Sequence, residues 1–281
     1  MLLTHTPAQA QSQRGDDAMV EMSNAFKRGD KNRLTALLPQ VRGHALEPWG
    51  VYWEIKARLD EASSAQIQAA MQSIVGTYQE DRLRNDWLQL LGQRRDWAQF
   101  STEYAKYRMH DDREVRCYAL HIERLRGASS GAAAAEEVRK NWHGLRDAED
   151  GCTLAADALF DAKLLGAQDI WRKARIAIEA NRPRAASAAV IIVSPESAPA
   201  VGELNASHTR YLSRAGSQTA ANRELALLAI IKLASTDTEG AANLMETKWS
   251  TLLSTEQRSW GWAVIAKQAN LKTLRSCASV L

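Results

Sequence analysis

The stretch LRNDWLQLLGQRRDWAQF, residues 83–100, decides the fold class. Its large apolar residues recur at the spacing i, i+4, i+7 and i+8, and they are Leu83, Trp87, Leu90 and Leu91. This is the spacing of one face of an α-helix. Gly92 is expected to end that helix, and a second helix is expected to begin near Asp96. The stretch therefore predicts a helical hairpin with a tight turn.

The same pattern continues on both sides of this hairpin, from Asp16 to the end of the chain. Second helices of successive hairpins are predicted to start near Asp30, Ser64, Asp96 and Gly131. A period of about 32–35 residues is typical of a helical solenoid. We expect an all-α fold: a right-handed superhelix of antiparallel helical hairpins, tetratricopeptide-like but without the strict tetratricopeptide consensus.

The composition supports helices and excludes several function classes. The 281 residues include only 15 Gly and 6 Pro, and 45% are apolar. The 36 basic and 33 acidic residues are interspersed, so no nucleic-acid surface is predicted. The mixed run from Glu80 to Asp86 is expected to form a solvated helix face. No apolar window is long enough to span a membrane.

We expect a short leader followed by one helical domain. The leader, residues 1–15, contains Ala8-Gln9-Ala10, which resembles the end of a signal peptide. The alternative is a disordered leader of small residues. The domain, residues 16–281, is expected to have an irregular break near 194–208. The run Ala189–Val193 is interpreted as a buried helix end and not as a strand.

No residue pattern predicts catalysis, a metal site or a cofactor. The 6 histidines are scattered, and no phosphate-binding loop or hydrolase motif occurs. Cys117 and Cys152 each lie on a predicted helix and could form a disulfide or remain two buried thiols. Trp49, Tyr52 and Trp53 could stack a sugar, but core packing is the preferred interpretation.

Several segments, in order, resemble the soluble lytic murein transglycosylases. Residues 46–54, LEPWGVYWE, are similar to that family's L-x-P-[YW]-x-x-Y helix, and residues 83–100 to its LR-x-x-W-L-x-x-L-x-x-R-x-D-W hairpin. Residues 115–118 and 150–152 resemble its two cysteine-bearing segments. Residues 171–181, WRKARIAIEAN, resemble its W-x-R-x-x-x-A-x-E helix.

This resemblance implies a periplasmic protein of peptidoglycan turnover. Members of the family cleave the bond between N-acetylmuramic acid and N-acetylglucosamine, with a lysozyme-like domain carried by a U-shaped helical superhelix. Glu196-Ser197-Ala198 matches that domain's E-S-x motif, but the prolines on either side place it in a loop. The G-L-M-Q and A-Y-N-x-G motifs that should follow are missing. We therefore expect a truncated chain, the scaffold without catalytic residues.

The resemblance also implies a Cys117–Cys152 disulfide, with Cys277 unpaired, and a periplasmic address if a signal peptide precedes the chain. Without such a signal peptide, we would expect the chain to be cytoplasmic. Its expected partners are peptidoglycan glycan strands or cell-wall proteins; its oligomeric state is not predicted.

Two other interpretations stay open. The chain could be a free-standing tetratricopeptide-like adaptor that binds a protein or peptide. It could also be a remnant without function, with a helix face exposed by a missing neighbour. The candidates for that face are Ala263, Val264, Ile265 and Leu271.

Overall fold

The computed structural model describes the backbone of residues 7–127 and 131–278, and side chains within residues 14–127 and 131–272. In this described part the chain is built of α-helices and contains no strand. The predicted all-α class is confirmed. None of the described helices is both long and apolar enough to cross a bilayer.

The helices divide between two compact units, Met1–Val115 and Arg116–Leu281. The helices of the first unit are α1 (Pro7–Arg28), α2 (Lys31–Leu37), α3 (Glu47–Ala57), α4 (Ser64–Ser73), α5 (Tyr78–Gln93) and α6 (Trp97–Tyr104). A 3₁₀ turn, Leu38–Val41, extends α2. Helix α7 (Arg113–Leu125) begins at the end of this unit.

Within its described residues the second unit contains most of α7 and nine further helices. These are α8 (Gly131–Gly144), α9 (Asp150–Asp161), α10 (Ala167–Glu179), α11 (Pro183–Val193), α12 (Ala198–Ala206), α13 (His208–Arg214), α14 (Ala220–Thr236), α15 (Thr238–Leu244) and α16 (Thr255–Ala278). A π-helical turn, Met245–Trp249, follows α15. Its core is continuous, and α14 lies within it with ten buried residues.

The predicted hairpin starts agree with the structure because each is marked by a capping side chain or a small residue. The carboxylate of Asp30 accepts a hydrogen bond from the Arg33 N–H at 3.0 Å and so caps α2. Asp96 caps α6 in the same way. Ser63 and Gln66 form a capping box at the start of α4. Local capping chemistry therefore sets the repeat.

Gly92 does not end its helix, contrary to the prediction. Helix α5 continues through Gly92 to Gln93, and the left-handed residue that reverses the chain is Arg95, with φ of 60°. Its guanidinium donates to the Gly92 carbonyl at 2.9 Å and satisfies an acceptor at the helix end. This local hydrogen bond offsets the cost of a positive φ outside glycine.

The expected irregular segment near 194–208 is helical. A 3₁₀ turn, Pro195–Ser197, leads into α12, and α13 follows at His208. Prolines at the first helical positions are compatible with helix initiation, which explains the difference. The run Ala189–Val193 ends α11, which confirms the helix, but only Ala189 and Val190 of the run are buried and Ile191 is 53% exposed. The expected disordered leader also differs from the structure, because α1 begins at Pro7. Residues 1–6 lie outside the described residues.

The charged run from Glu80 to Asp86 is not a solvated face, so that prediction is wrong. Glu80, Asp81, Arg84 and Asp86 are all at most 8% exposed. They are buried because they pair: the Arg84 guanidinium donates to Glu80 at 2.7 Å and to Glu103. A buried charge is tolerated only with such partners.

Candidate functional site

The structure brings Cys117 of α7 and Cys152 of α9 together. Their Cα atoms lie 4.8 Å apart, and their Sγ atoms are joined in a disulfide. Both cysteines are fully buried. Cys277 lies outside the residues whose side chains are described. The pair has a structural position, inside the core between helices, and lines neither of the clefts described below.

Glu196, the residue of the E-S-x match, lies on the surface. Its carboxylate accepts a hydrogen bond from the Ser194 hydroxyl, which holds the pKa of Glu196 below its usual range. A general acid of a glycosidase needs the opposite shift, produced by a shielded pocket. This geometry does not equip Glu196 for acid catalysis.

The aromatic cluster of the first unit packs into its core. Tyr52 is 7% exposed and donates its hydroxyl to Asp86 at 2.8 Å. Trp49 and Trp53 are half-buried, and Phe26 of α1 packs against Trp53 with ring centroids 6.0 Å apart. The cluster therefore joins α1 to α3.

A groove of about 500 Å³ lies between α10 and α16 in the second unit. We call it the Trp260 groove, and its polar and aromatic lining comprises Arg172, Glu179, Glu256, Ser259, Trp260 and Lys267. On α10 the two lining residues are seven positions apart, and on α16 the spacing is close to multiples of 3.6. Each helix therefore presents one face to the groove.

A buried ion network adjoins the Trp260 groove and shares Glu256 with it. Arg175 is fully buried, and its guanidinium donates to both carboxylate oxygens of Glu224, at 3.0 and 2.6 Å. It also donates to Glu256 at 2.6 Å, and the Gln257 amide donates to Glu224 at 2.7 Å. Burial alone would lower the pKa of Arg175, but these carboxylates outweigh it and raise that pKa. Helices α10, α14 and α16 are thus tied together.

The Trp260 side chain is fixed within this frame. Its indole N–H donates to Glu179 at 2.8 Å. The guanidinium carbons of Arg172 and Arg175 lie 5.6 and 5.3 Å from the ring centroid, within cation–π distance. The ring is half-buried, so part of it stays accessible. This is a preorganised aromatic surface in a concave site.

Polar groups at the edge of the Trp260 groove remain available to a ligand. Arg172 is exposed and forms no ion pair with a carboxylate among the described residues. The exposed Ser259 hydroxyl has no hydrogen-bond partner among the residues that the structure describes. The Glu256 side chain is 41% exposed. The groove therefore combines an aromatic surface with an exposed guanidinium that contacts its ring and with exposed hydrogen-bonding groups.

A second cleft, of about 600 Å³, lies in the first unit, and we call it the polar cleft. Its charged residues bind each other: Lys106 pairs with Glu103 at 2.9 Å and Arg108 with Glu80 at 3.2 Å. Burial alone would raise the pKa of Glu80, but the Gly76 N–H and the Arg84 guanidinium outweigh it and lower that pKa. A ligand would have to displace existing ion pairs here.

No pattern in the sequence singles out Trp260. Four nearby residues were the candidates for an apolar face exposed in a truncated remnant, and this is wrong for Val264 and Ile265, which are 4% and 6% exposed. Ala263 is exposed and lines the Trp260 groove, and Leu271 is 38% exposed. The groove depends on α10 and α16 meeting, and no local pattern encodes that contact.

Comparison with known proteins shows similarity in structure only. No family model matches the sequence, and no curated protein matches it. The 70 kDa soluble lytic transglycosylase of Escherichia coli is similar over 92% of this chain, with a TM-score of 0.53 and 14% identity. An inactive mutant of the lytic transglycosylase Slt from Pseudomonas aeruginosa is similar over 90%, with a TM-score of 0.51 and 20% identity.

A third similar structure is the 70 kDa soluble lytic transglycosylase in complex with bulgecin A. It has a TM-score of 0.51 and 14% identity over 91% of this chain. This chain spans only about two fifths of these proteins, 42%, 41% and 42% of their respective lengths. At these identities the similarity establishes the fold. The resemblance noted in the sequence is confirmed at that level: the chain folds like part of a soluble lytic transglycosylase.

Proposed function

Starting from a fold shared with part of the soluble lytic transglycosylases, we propose that this chain is a scaffold domain that binds peptidoglycan and does not cleave it. The observation that supports this most is the alignment of at least 90% of the chain with about two fifths of each enzyme. A segment that aligns almost completely with part of a larger enzyme fits a domain of that enzyme. We also propose a periplasmic location, with which a buried disulfide is consistent.

The chemistry of the two clefts supports the non-catalytic part of the proposal. Cleavage of a glycosidic bond needs a carboxyl group whose pKa is raised so that it can donate a proton. In the polar cleft the pKa of Glu80 is lowered instead. In the Trp260 groove the carboxylates of Glu179 and Glu256 already accept hydrogen bonds from Trp260 and Arg175.

A sedimentation experiment tests both parts of this proposal. The purified chain is mixed with insoluble peptidoglycan sacculi, centrifuged, and the supernatant is analysed for released muropeptides by mass spectrometry. We expect the chain to sediment with sacculi but not with chitin, and we expect no anhydro-muropeptides. A chain that stays in the supernatant would contradict binding and favour the adaptor interpretation. Release of anhydro-muropeptides would contradict the scaffold role.

A further inference from the structure

We propose that the Trp260 groove binds one sugar unit that carries a carboxylate group. The inference rests on the proposed function, because it names the part of the glycan that this groove would hold. It is based on three features that occur together: an immobilised aromatic ring, an exposed guanidinium without a carboxylate partner among the described residues, and free hydrogen-bonding groups beside them.

The Trp260 ring suits a sugar because it is partly exposed and already fixed. Pyranose rings have an apolar C–H face that packs against an indole, and the gain is larger when the ring loses no freedom on binding. Glu179 holds the indole N–H, and Arg175 lies against the ring. The volume of about 500 Å³ accommodates a single amino sugar.

Arg172 supplies the selection for a carboxylate. It lies three residues before Arg175 on α10, but among the described residues only Arg175 of the two has carboxylate partners, Glu224 and Glu256. The Arg172 guanidinium lies beside the Trp260 ring and can therefore bind an anion there without breaking an ion pair to a described carboxylate. A guanidinium can donate two parallel hydrogen bonds to a carboxylate, and a neutral sugar has no carboxylate to accept them.

The remaining groups complete the recognition. Ser259 presents a hydroxyl that can donate to or accept from a sugar hydroxyl. Glu256, held by Arg175, can accept from an amide N–H or a hydroxyl of the ligand. The groove thus matches an acylated amino sugar with an acidic substituent better than it matches a neutral sugar.

The test compares N-acetylmuramic acid with N-acetylglucosamine, because they differ only by the acidic lactyl group. The indole N–H signals of the ¹⁵N-labelled chain are followed during titration, and the signals of Trp260 and Trp249 are assigned from the W260F and W249F variants. Trp249 is 0% exposed and serves as an internal control. We expect the Trp260 signal to shift with N-acetylmuramic acid at concentrations about tenfold lower than with N-acetylglucosamine, while the Trp249 signal stays in place.

Variants of Arg172 locate the selectivity. We expect Arg172→Gln to remove the preference between the two sugars and Arg172→Lys to restore part of it. Arg184→Gln, at an exposed arginine of α11 outside the groove, should leave the preference unchanged. An unchanged Trp249 signal shows that the second unit of each variant is folded. Equal shifts with both sugars in the unmodified chain, or a preference that survives Arg172→Gln, would overturn the proposal.

The sedimentation experiment separates this inference from the proposed function. If the chain sediments with sacculi and Trp260 does not respond to N-acetylmuramic acid, the groove assignment is wrong and the scaffold role stands. If Trp260 responds with the expected preference and the chain does not sediment, the scaffold role is wrong and the groove assignment stands.

Discussion

At the scale of single residues, buried charges decide more of this structure than the sequence pattern suggests. Arg175 and Glu224 are at most 7% exposed, and each depends on the other for charge compensation. Removal of one partner leaves the other buried and unpaired, which costs far more than the pair itself contributes.

We expect Arg175→Met to destabilise the protein by about 3–5 kcal/mol, because Glu224 then loses its bidentate partner. The free energy of unfolding in urea measures this change. The double variant Arg175→Met/Glu224→Met should recover much of the loss. Arg184→Met, at an exposed arginine, should change stability by less than about 0.5 kcal/mol. A double variant less stable than Arg175→Met would contradict this account.

Lys173 makes stability depend on pH. Lys173 is 1% exposed, and its ammonium group donates to the carbonyls of Trp142 and Leu145 at 2.8 and 2.6 Å. Burial lowers the pKa of Lys173 to about 8 from an ordinary value of 10.5. Between these two pH values the unfolded chain binds more protons at this residue than the folded chain, so its contribution makes the protein more stable as pH rises.

We expect the free energy of unfolding to rise between pH 8 and 9.5, with Lys173 contributing at most about 1.4 kcal/mol per pH unit. Lys173→Met should abolish that slope. The measurement stops below pH 10 because burial raises the pKa of Tyr52 to about 12, which has the opposite effect at higher pH. The same slope in the Lys173→Met variant would contradict the assignment.

At the scale of elements, local chemistry is predictable and tertiary contact is not. The starts of α2, α4 and α6 follow from Asp30, Ser63 and Asp96, whose side chains cap them within three residues. The end of α5 was not predictable. The chain reverses at Arg95, which adopts a positive φ where glycine is usual, and its side chain donates to the Gly92 carbonyl. The buried position of Arg84 depends in part on Glu103 of α6, and the helical periodicity of α5 carries no information about that contact.

The bond between Cys117 and Cys152 joins α7 to α9 across a sequence separation of 35 residues. We expect its reduction to destabilise the second unit by about 3–4 kcal/mol, because the unfolded chain regains the freedom of that loop. Thermal unfolding with and without dithiothreitol measures the loss. Cys117→Ala/Cys152→Ala should lower stability similarly and no longer respond to the reductant, whereas Cys277→Ser should still respond.

Thiol labelling of the denatured, unreduced chain gives an independent check. With the pair bonded, we expect one reactive thiol before reduction and three afterwards, since the chain contains 3 cysteines. Three reactive thiols before reduction would show that Cys117 and Cys152 are two free thiols and form no disulfide.

At the scale of the whole molecule, the sequence was sufficient for the fold class and insufficient for the candidate site. The repeat of hairpins depends on local signals, so the all-α class and the resemblance to lytic transglycosylases could be predicted. Trp260 could not, because Glu179 lies 81 residues earlier in the chain. The boundary between Met1–Val115 and Arg116–Leu281 has no mark in the sequence, since the helical pattern continues through α7.

The network around Arg175 has a consequence for the order of folding during synthesis. Most hairpins of an α-solenoid can form as soon as both of their helices leave the ribosome, since their contacts are local. Arg175 finds Glu224 only 49 residues later and Glu256 only 81 residues later. Until then the guanidinium of Arg175 on α10 lacks both of these carboxylate partners. The second unit is therefore expected to reach its native packing late and in one cooperative step, which pulsed hydrogen exchange during refolding would detect as simultaneous protection of α10, α14 and α16.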